Sequence, residues 1–442
     1  MEETGVVANG MSRRLVLQKT ALFGSVAVLG GVPLMGCSGS TDVALDPADW
    51  PGLAEMARER LTLGSVSNCF SYLGKGDAEP IVIGDGLDRF GGERKSDADS
   101  LYRIYSMTKP VTGIAAMILI GEGALTLDTE LAEVLPNFAE MQVMIDPEGP
   151  LSPDNLEPAI RPITIRQLLT HTSGLAYSAG APTPLGQATS EAGLVPGMPL
   201  ANEPDAVRAS SLEAYADGIA ALPLPHQPGT QWVYSCSLDV LGRVIEVVSG
   251  QSFDAFLKER IFDPCGMDST FFKVPESEIA RFTDLNGVSD GEKLVVDPAI
   301  ESGYLVNPPF PMGGSGLVSS ARDYDRFLKM IGNLGEIDGN RVMAEETMRI
   351  ATSNILPDTV VTEGSSVDGY GYGAGGRIGW SGMANAFGWV GAAGTVGYVD
   401  MESGLRAGFY TQYREIPPSG PGHFDFENAV EADLAFQKGL AE

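Results

Sequence analysis

Tyr105-Ser106-Met107-Thr108-Lys109-Pro110 lies where a charged, turn-like segment (residues 94–100) gives way to an apolar run over residues 111–120. The pattern predicts a helix over 106–122 whose first turn carries a serine and, three residues on, a lysine. Residues three apart on a helix share a face. The lysine amine can therefore reach the serine hydroxyl without help from a distant loop. A serine hydroxyl is a poor nucleophile until a neighbouring base takes its proton, and a helix N-terminus favours negative charge developing beside it. The tetrad by itself also fits a solvent-facing helix start, so the segments around it have to decide.

The chain has 442 residues, enough for one large or two ordinary domains. Apolar residues at 43% and aromatic residues at 8% suit a globular protein with a substantial core. Acidic residues number 58 against 29 basic ones, a formal charge of −29. Such a surface repels phosphate backbones, which argues against nucleic acid as a partner and is read as a solubility feature. The four cysteines (Cys37, Cys69, Cys236, Cys265) contain no C-x-x-C pair, so neither a zinc site nor a thioredoxin-type motif is expected. Three histidines, His171, His226 and His423, are too scattered for a local metal motif. No cofactor is expected.

Residues 1–36 read as an export signal. Ser12-Arg13-Arg14 precedes a short apolar run over 21–35, closed by Leu34-Met35-Gly36-Cys37. The paired arginines resemble the twin-arginine export class, and the tetrapeptide resembles a bacterial lipobox in which Cys37 is lipidated. A plain cleaved signal with Cys37 incidental is the alternative. The apolar run carries Gly24, Gly30, Gly31 and Pro33 and is short for a spanning helix. The expected location is the periplasm, with a lipid anchor to the membrane, and residues 37–47 form a flexible tether. Met11 stands directly before the basic stretch and competes with Met1 as the start.

Beyond the tether, apolar spacing predicts helices over 47–63, 164–170, 211–222, 238–249, 253–261, 321–334 and 426–440, and strands over 65–73 and 80–83. Residues 176–208 and 273–315 read as long loops that shape a pocket. After residue 368 the texture becomes glycine-rich alternation, the signature of strands and turns. The expected fold is α/β (α+β): an antiparallel sheet built from 48–110 and 316–442, flanked by helices, with a mostly helical region over 111–315 inserted between, the whole of 48–442 forming one catalytic unit.

Three further segments bear on Ser106. Leu168-Leu169-Thr170-His171-Thr172-Ser173-Gly174-Leu175 follows a short helix, and His171 is read as a structural residue that fixes the turn. Pro228-Gly-Thr-Gln-Trp-Val-Tyr234-Ser-Cys-Ser237 leads into Asp239-Val-Leu-Gly242. A phenol beside a lysine ammonium is favoured as phenolate and can act as general base, which makes Tyr234 a candidate. Ala386-Phe-Gly-Trp-Val-Gly-Ala-Ala-Gly-Thr395 is glycine-rich, so its backbone can approach a ligand closely. One of its N–H groups, with that of Ser106, would form an oxyanion hole.

Together these segments resemble the class C β-lactamase-like serine hydrolases, and within them most closely the family VIII carboxylesterases. The resemblance runs from about Trp50 to the C-terminus. It implies a β-lactamase/penicillin-binding-protein-like fold, Ser106 as acylated nucleophile, Lys109 and Tyr234 as the activating pair, and the N–H groups of Ser106 and Ala392 as the oxyanion hole. Trp389-Val390-Gly391 stands where lactamases carry Lys-Thr-Gly and would contact substrate. Two positions depart from that pattern: Cys236 replaces the usual Asn after the tyrosine, and Trp389 replaces the lysine. Both remove polar handles for a β-lactam, so the expected activity is a serine carboxylesterase acting on small esters. A β-lactamase or D-Ala-D-Ala peptidase using the same residues is the alternative, and an inactive cell-wall peptide-binding domain a second. Gly287-Val-Ser289-Asp-Gly291 fits G-x-S-x-G, but a nucleophile elbow needs a strand before the serine and a helix after it. The polar stretch 284–293 offers no apolar strand, so Ser289 is read as a decoy, with His423 downstream.

Overall fold

Leu101–Arg103, the strand that delivers Ser106, sets the frame for the rest. It pairs antiparallel with Val318–Ser320, and the Ile104 amide donates to Leu317 O at 3.1 Å. The Arg103 side chain, fully buried, pairs with Asp297 at 2.7 Å and stacks over Phe282 at 4.1 Å. A buried charge is stable only when paired and hydrogen-bonded. Here the Thr283 carbonyl accepts a further bond from the guanidinium at 2.6 Å, so the turn ahead of Ser106 has a rigid footing. These features come from a computed structural model of the protein, which describes residues 44–198, 207–289, 292–414 and 422–439.

A seven-stranded antiparallel sheet organises the chain. Its strands are β1 (Asn68–Lys75), β2 (Ile81–Gly86), β3 (Gly371–Tyr372), β4 (Arg377–Trp380), β5 (Met383–Gly391), β6 (Thr395–Asp400) and β7 (Leu405–Tyr410), in the order β3-β4-β5-β6-β7-β1-β2. The N-terminal hairpin joins the C-terminal meander through β1 and β7, with Phe70 opposite Tyr410. The sheet is thus built from both ends of the chain, and helices cover both of its faces.

Side chains alternate between those faces, as the pleat demands. Leu73, Tyr398 and Phe409 pack with Trp50, Phe426 and Val430 beneath α1 (Pro51–Leu63) and the C-terminal helix (Gly422–Gln437). Tyr72, Val399 and Tyr410 turn the other way, into the main core. There they meet three helices: α2 (Thr108–Gly121), α3 (Ser237–Ser249) and α4 (Ala321–Gly332). The C-terminal helix is α5. Helix α2 is buried from Thr108 to Leu119, which explains its apolar run from Gly113 to Ile120; a stretch apolar all round belongs in a core. Pro110 sits in its first turn, where a missing N–H costs nothing.

Several sequence expectations need correction. The helix predicted to begin at Ser106 begins at Thr108; Tyr105–Met107 is a 3-10 turn, entered through Tyr105 at φ +39°. The tight turn is what lifts Ser106 out of the core. The loop predicted over 273–315 contains a hairpin, Leu285–Ser289 paired with Glu292–Asp297. Ser289 therefore does end a strand, contrary to the reading of its polar context, but the next element is a second strand and not a helix. The elbow geometry is absent for that reason. The loop over 176–208 carries a helix at Pro184–Glu191, capped by Thr183. The tether and signal, with Cys37, fall outside the described residues apart from 44–47. Among the described residues no helix is long and apolar enough to cross a membrane. Cys69, Cys236 and Cys265 are buried free thiols.

Candidate active site

Lys109 is completely buried, with its Nζ 3.2 Å from Ser106 Oγ and 2.8 Å from the Gly314 carbonyl, to which it donates. The same nitrogen lies over the Tyr234 ring at 4.4 Å and the Tyr177 ring at 5.3 Å. A cation over an aromatic face is attracted by the ring quadrupole. The lysine is therefore held on three sides, and the remaining side faces the serine. Ser106 is half-buried and opens into a cavity whose wall includes Tyr234, Trp389 and Ala392. Trp389, almost wholly buried, donates its indole N–H to Tyr234 Oη at 3.3 Å. So Trp389 touches the candidate proton carrier directly.

Position 391 requires glycine. A Cβ there would sit 2.3 Å from Ile104 O and 2.3 Å from Thr395 Oγ1. The bare backbone lets the end of β5 lie against the segment that leads into Ser106, and Ala392 lines the same cavities as Ser106. Val390 and Gly391 line the larger of them.

His171 lies outside the reacting group. It is buried in the left-handed region at φ +57°. Its Nδ1 accepts from the Ser235 amide at 3.2 Å, and its ring packs against Tyr234 with centroids 5.0 Å apart. Burial, reinforced by the Lys109 charge, holds its pKa well below the usual histidine value. A neutral, wedged imidazole of this kind braces the tyrosine.

Two polar residues with no role assigned from sequence complete the site. Asp239, in the first turn of α3, is 2% exposed. It accepts from the Gly314 amide at 2.8 Å and from the Tyr177 hydroxyl at 3.4 Å. Gly314 is the residue whose carbonyl takes the Lys109 bond. Burial pushes the Asp239 carboxyl up; the Lys109 charge, the Gly314 amide and the Tyr177 hydroxyl pull against it. One residue's backbone thus ties carboxylate to amine. A signal existed in the sequence, an acid inside the apolar run Leu238-Asp239-Val240-Leu241. Tyr177 sits in a Gly/Ala/Ser-rich loop and carried none.

Asp239→Ala should therefore orphan the buried Gly314 amide and cost about 1–3 kcal/mol of stability. Asp239→Asn, which keeps a carbonyl acceptor, should lose less. Thermal melts of the two variants check the order; equal losses would mean the amide bond is not what Asp239 contributes. Among the described residues no cluster of His, Cys, Asp or Glu side chains is placed to hold a metal ion.

The sheet topology and the meeting of Lys109 with Ser106 can be set beside known proteins. Residues 75–431 match the family described as Beta-lactamase, and the chain belongs to that family. It is 35% identical over 260 residues to Protein Rv1367c of Mycobacterium tuberculosis, covering 59% of this chain and 61% of that one. To Esterase EstB of Burkholderia gladioli it is 31% identical over 259 residues, covering 55% and 60%. The chain thus spans about three-fifths of the length of these curated relatives. Among solved structures it resembles EstCE1, described as a hydrolase with promiscuous acyltransferase activity, at a TM-score of 0.69 and 20% identity over 87% of this chain and 99% of that one. That likeness concerns the fold.

Proposed function

We propose that this protein is a serine carboxylesterase that cleaves small esters through an acyl-enzyme on Ser106. The observation that carries the reading is the 3.2 Å approach of a fully buried lysine amine to that hydroxyl, with Tyr234 in the wall of the same cavity. In acylation, Lys109 and Tyr234 together take the proton of Ser106 as its oxygen attacks the ester carbonyl. The amides of Ser106 and Ala392 receive the oxyanion. The alcohol departs with the proton from Tyr234, and water then repeats the sequence to release the acid. Where a second alcohol replaces water, the same steps amount to acyl transfer. Support comes from family membership and from relatives named as esterases. Trp389 and Cys236 supply neither a lysine nor an amide for a β-lactam, which favours esters over lactams. The twin arginines and Leu34-Met35-Gly36-Cys37 support an exported, lipid-anchored protein.

The test is intact-mass spectrometry after a fluorophosphonate probe, beside turnover of p-nitrophenyl butyrate and nitrocefin. One adduct on the Ser106 peptide and faster ester turnover are expected. An adduct elsewhere, or nitrocefin as the better substrate, overturns the assignment.

Tyr234→Phe keeps the ring under the lysine and removes the hydroxyl. It is expected to lower kcat by about 10²- to 10⁴-fold, the usual span for a lost general acid–base, with KM changing far less. Steady-state kinetics on p-nitrophenyl butyrate decides; a kcat within a few-fold of the parent would remove Tyr234 from the proton path.

A further inference from the structure

Ser106 and Ala392 stand where two cavities of unequal size meet. The larger, about 630 Å³, includes Tyr234 in its wall. The smaller, about 300 Å³, includes Tyr177, Met198 and Arg208 but not Tyr234. An alkoxide leaving an ester must collect a proton as its bond to the acyl carbon breaks, from a donor within about 2.6–3.2 Å. If Tyr234 is that donor, the alcohol half of the ester lies in the larger cavity. The acyl half is then left with the smaller one.

The larger cavity is aromatic and acidic. Trp389, Tyr370 and Phe424 supply ring surface, while the Trp380 ring is already covered by Arg377 and stacked on Tyr398. Arg377 is already engaged: it pairs with Glu427 at 2.6 Å, donates to Gly379 O at 2.9 Å, and lies over the Trp380 and Tyr370 rings at 3.6 and 4.2 Å. With Arg377 and Glu427 cancelling, the carboxylates of Asp368 and Glu431 are in excess among the described lining residues. Both are exposed at the rim, where their field is felt by an entering ligand but weakened by salt.

We propose that this cavity selects esters whose alcohol is bulky, ring-bearing and positively charged, joined to a short acyl chain, and that it disfavours the matching anionic alcohol. The inference rests on the acyl-enzyme reading above. Aromatic faces attract cations, and two uncompensated carboxylates add to the attraction while repelling a carboxylate. In the reaction, the Ser106 oxygen bonds to the acyl carbon, the carbon–alkoxy bond breaks, and the alkoxide takes the Tyr234 proton. An alcohol of the same class entering the vacated cavity gives its proton to the Tyr234–Lys109 pair as its oxygen bonds to the acyl carbon; the bond from that carbon to Ser106 Oγ breaks, and Oγ takes a proton back from Lys109, 3.2 Å away. Transesterification to such alcohols should therefore compete with hydrolysis.

The test uses butyrate esters of benzyl alcohols bearing a para aminomethyl, methyl or carboxylate group, assayed on the full chain at low and high salt. The expected order of kcat/KM is aminomethyl, then methyl, then carboxylate, with about a ten-fold spread between the ends that narrows as salt screens the rim charges. Glu431→Lys should reverse the order of the two charged esters. Met198→Ala should shift the preferred acyl chain toward greater length in a p-nitrophenyl ester series, because Met198 lines the smaller cavity. A protein that hydrolyses p-nitrophenyl butyrate on Ser106 yet treats the charged esters alike overturns the cavity assignment alone. So does Glu431→Lys altering the acyl-length series and not the alcohol series. A protein with no Ser106 adduct and no ester turnover overturns the enzymatic reading itself.

Discussion

Ser106→Ala is expected to lower kcat/KM for p-nitrophenyl butyrate by on the order of 10⁴-fold or more, because without the hydroxyl no acyl-enzyme forms. The fold should survive. Ser106 is half-buried on a 3-10 turn held by bonds that its side chain does not make: the Ile104 amide to Leu317, and Tyr324 Oη to Met107 O at 3.0 Å. Removing one oxygen from such a site usually changes stability by about 0.5 kcal/mol or less. Ser289→Ala, in the G-x-S-x-G stretch, should leave turnover near the parent value, since Ser289 ends one strand of a hairpin. Kinetics and melting curves on the two variants decide. Inactivity in Ser289→Ala with activity in Ser106→Ala would overturn the nucleophile assignment.

The parts of the site that could be read from sequence are those fixed by local spacing. Ser106 and Lys109 are one turn apart, so their meeting follows from backbone geometry. The sheet was legible at the level of texture, because strands after residue 368 alternate with glycine-rich turns. That β1 closes against β7 follows from the sheet needing both chain ends, not from any motif. The hidden parts depend on long-range packing. Asp239 and Gly314 are joined by a 2.8 Å bond across 75 positions, and no local pattern encodes such a pairing. The Trp389 bond to Tyr234 spans 155 positions. In the sequence Trp389 reads as a lost polar handle. In the fold it faces the phenol, because β5 runs along the cavity and Gly391 lets its end approach Ile104. The predicted helix start is two residues early because the positive φ of Tyr105 costs a non-glycine residue conformational energy, which no local pattern announces. Tyr105 packs in a cluster with Leu285, Val296 and Ala393, contacts from distant parts of the chain.

The second large effect separates two things a lysine can supply, a charge and an exchangeable lone pair. Lys109→Met removes both while filling nearly the same volume, and is expected to reduce kcat by on the order of 10³-fold or more, toward the upper range for loss of an activating base. It also leaves the Gly314 carbonyl without its donor and Asp239 without the positive charge now acting on it. The stability change is therefore the balance of a buried ammonium removed and a buried carboxylate stranded. Lys109→Arg retains a positive charge and hydrogen-bond donors, but a guanidinium does not give up its proton in proteins. If the amine must accept the serine proton, the arginine variant is as inactive as the methionine variant, and external methylamine should rescue the smaller Lys109→Ala. If Lys109 acts only through its field on Tyr234, arginine should retain a tenth or more of the parent rate, a difference of about 1.4 kcal/mol or less in barrier. Stopped-flow acylation rates for the three variants decide between those roles, and full activity in Lys109→Met would remove the amine from the mechanism altogether.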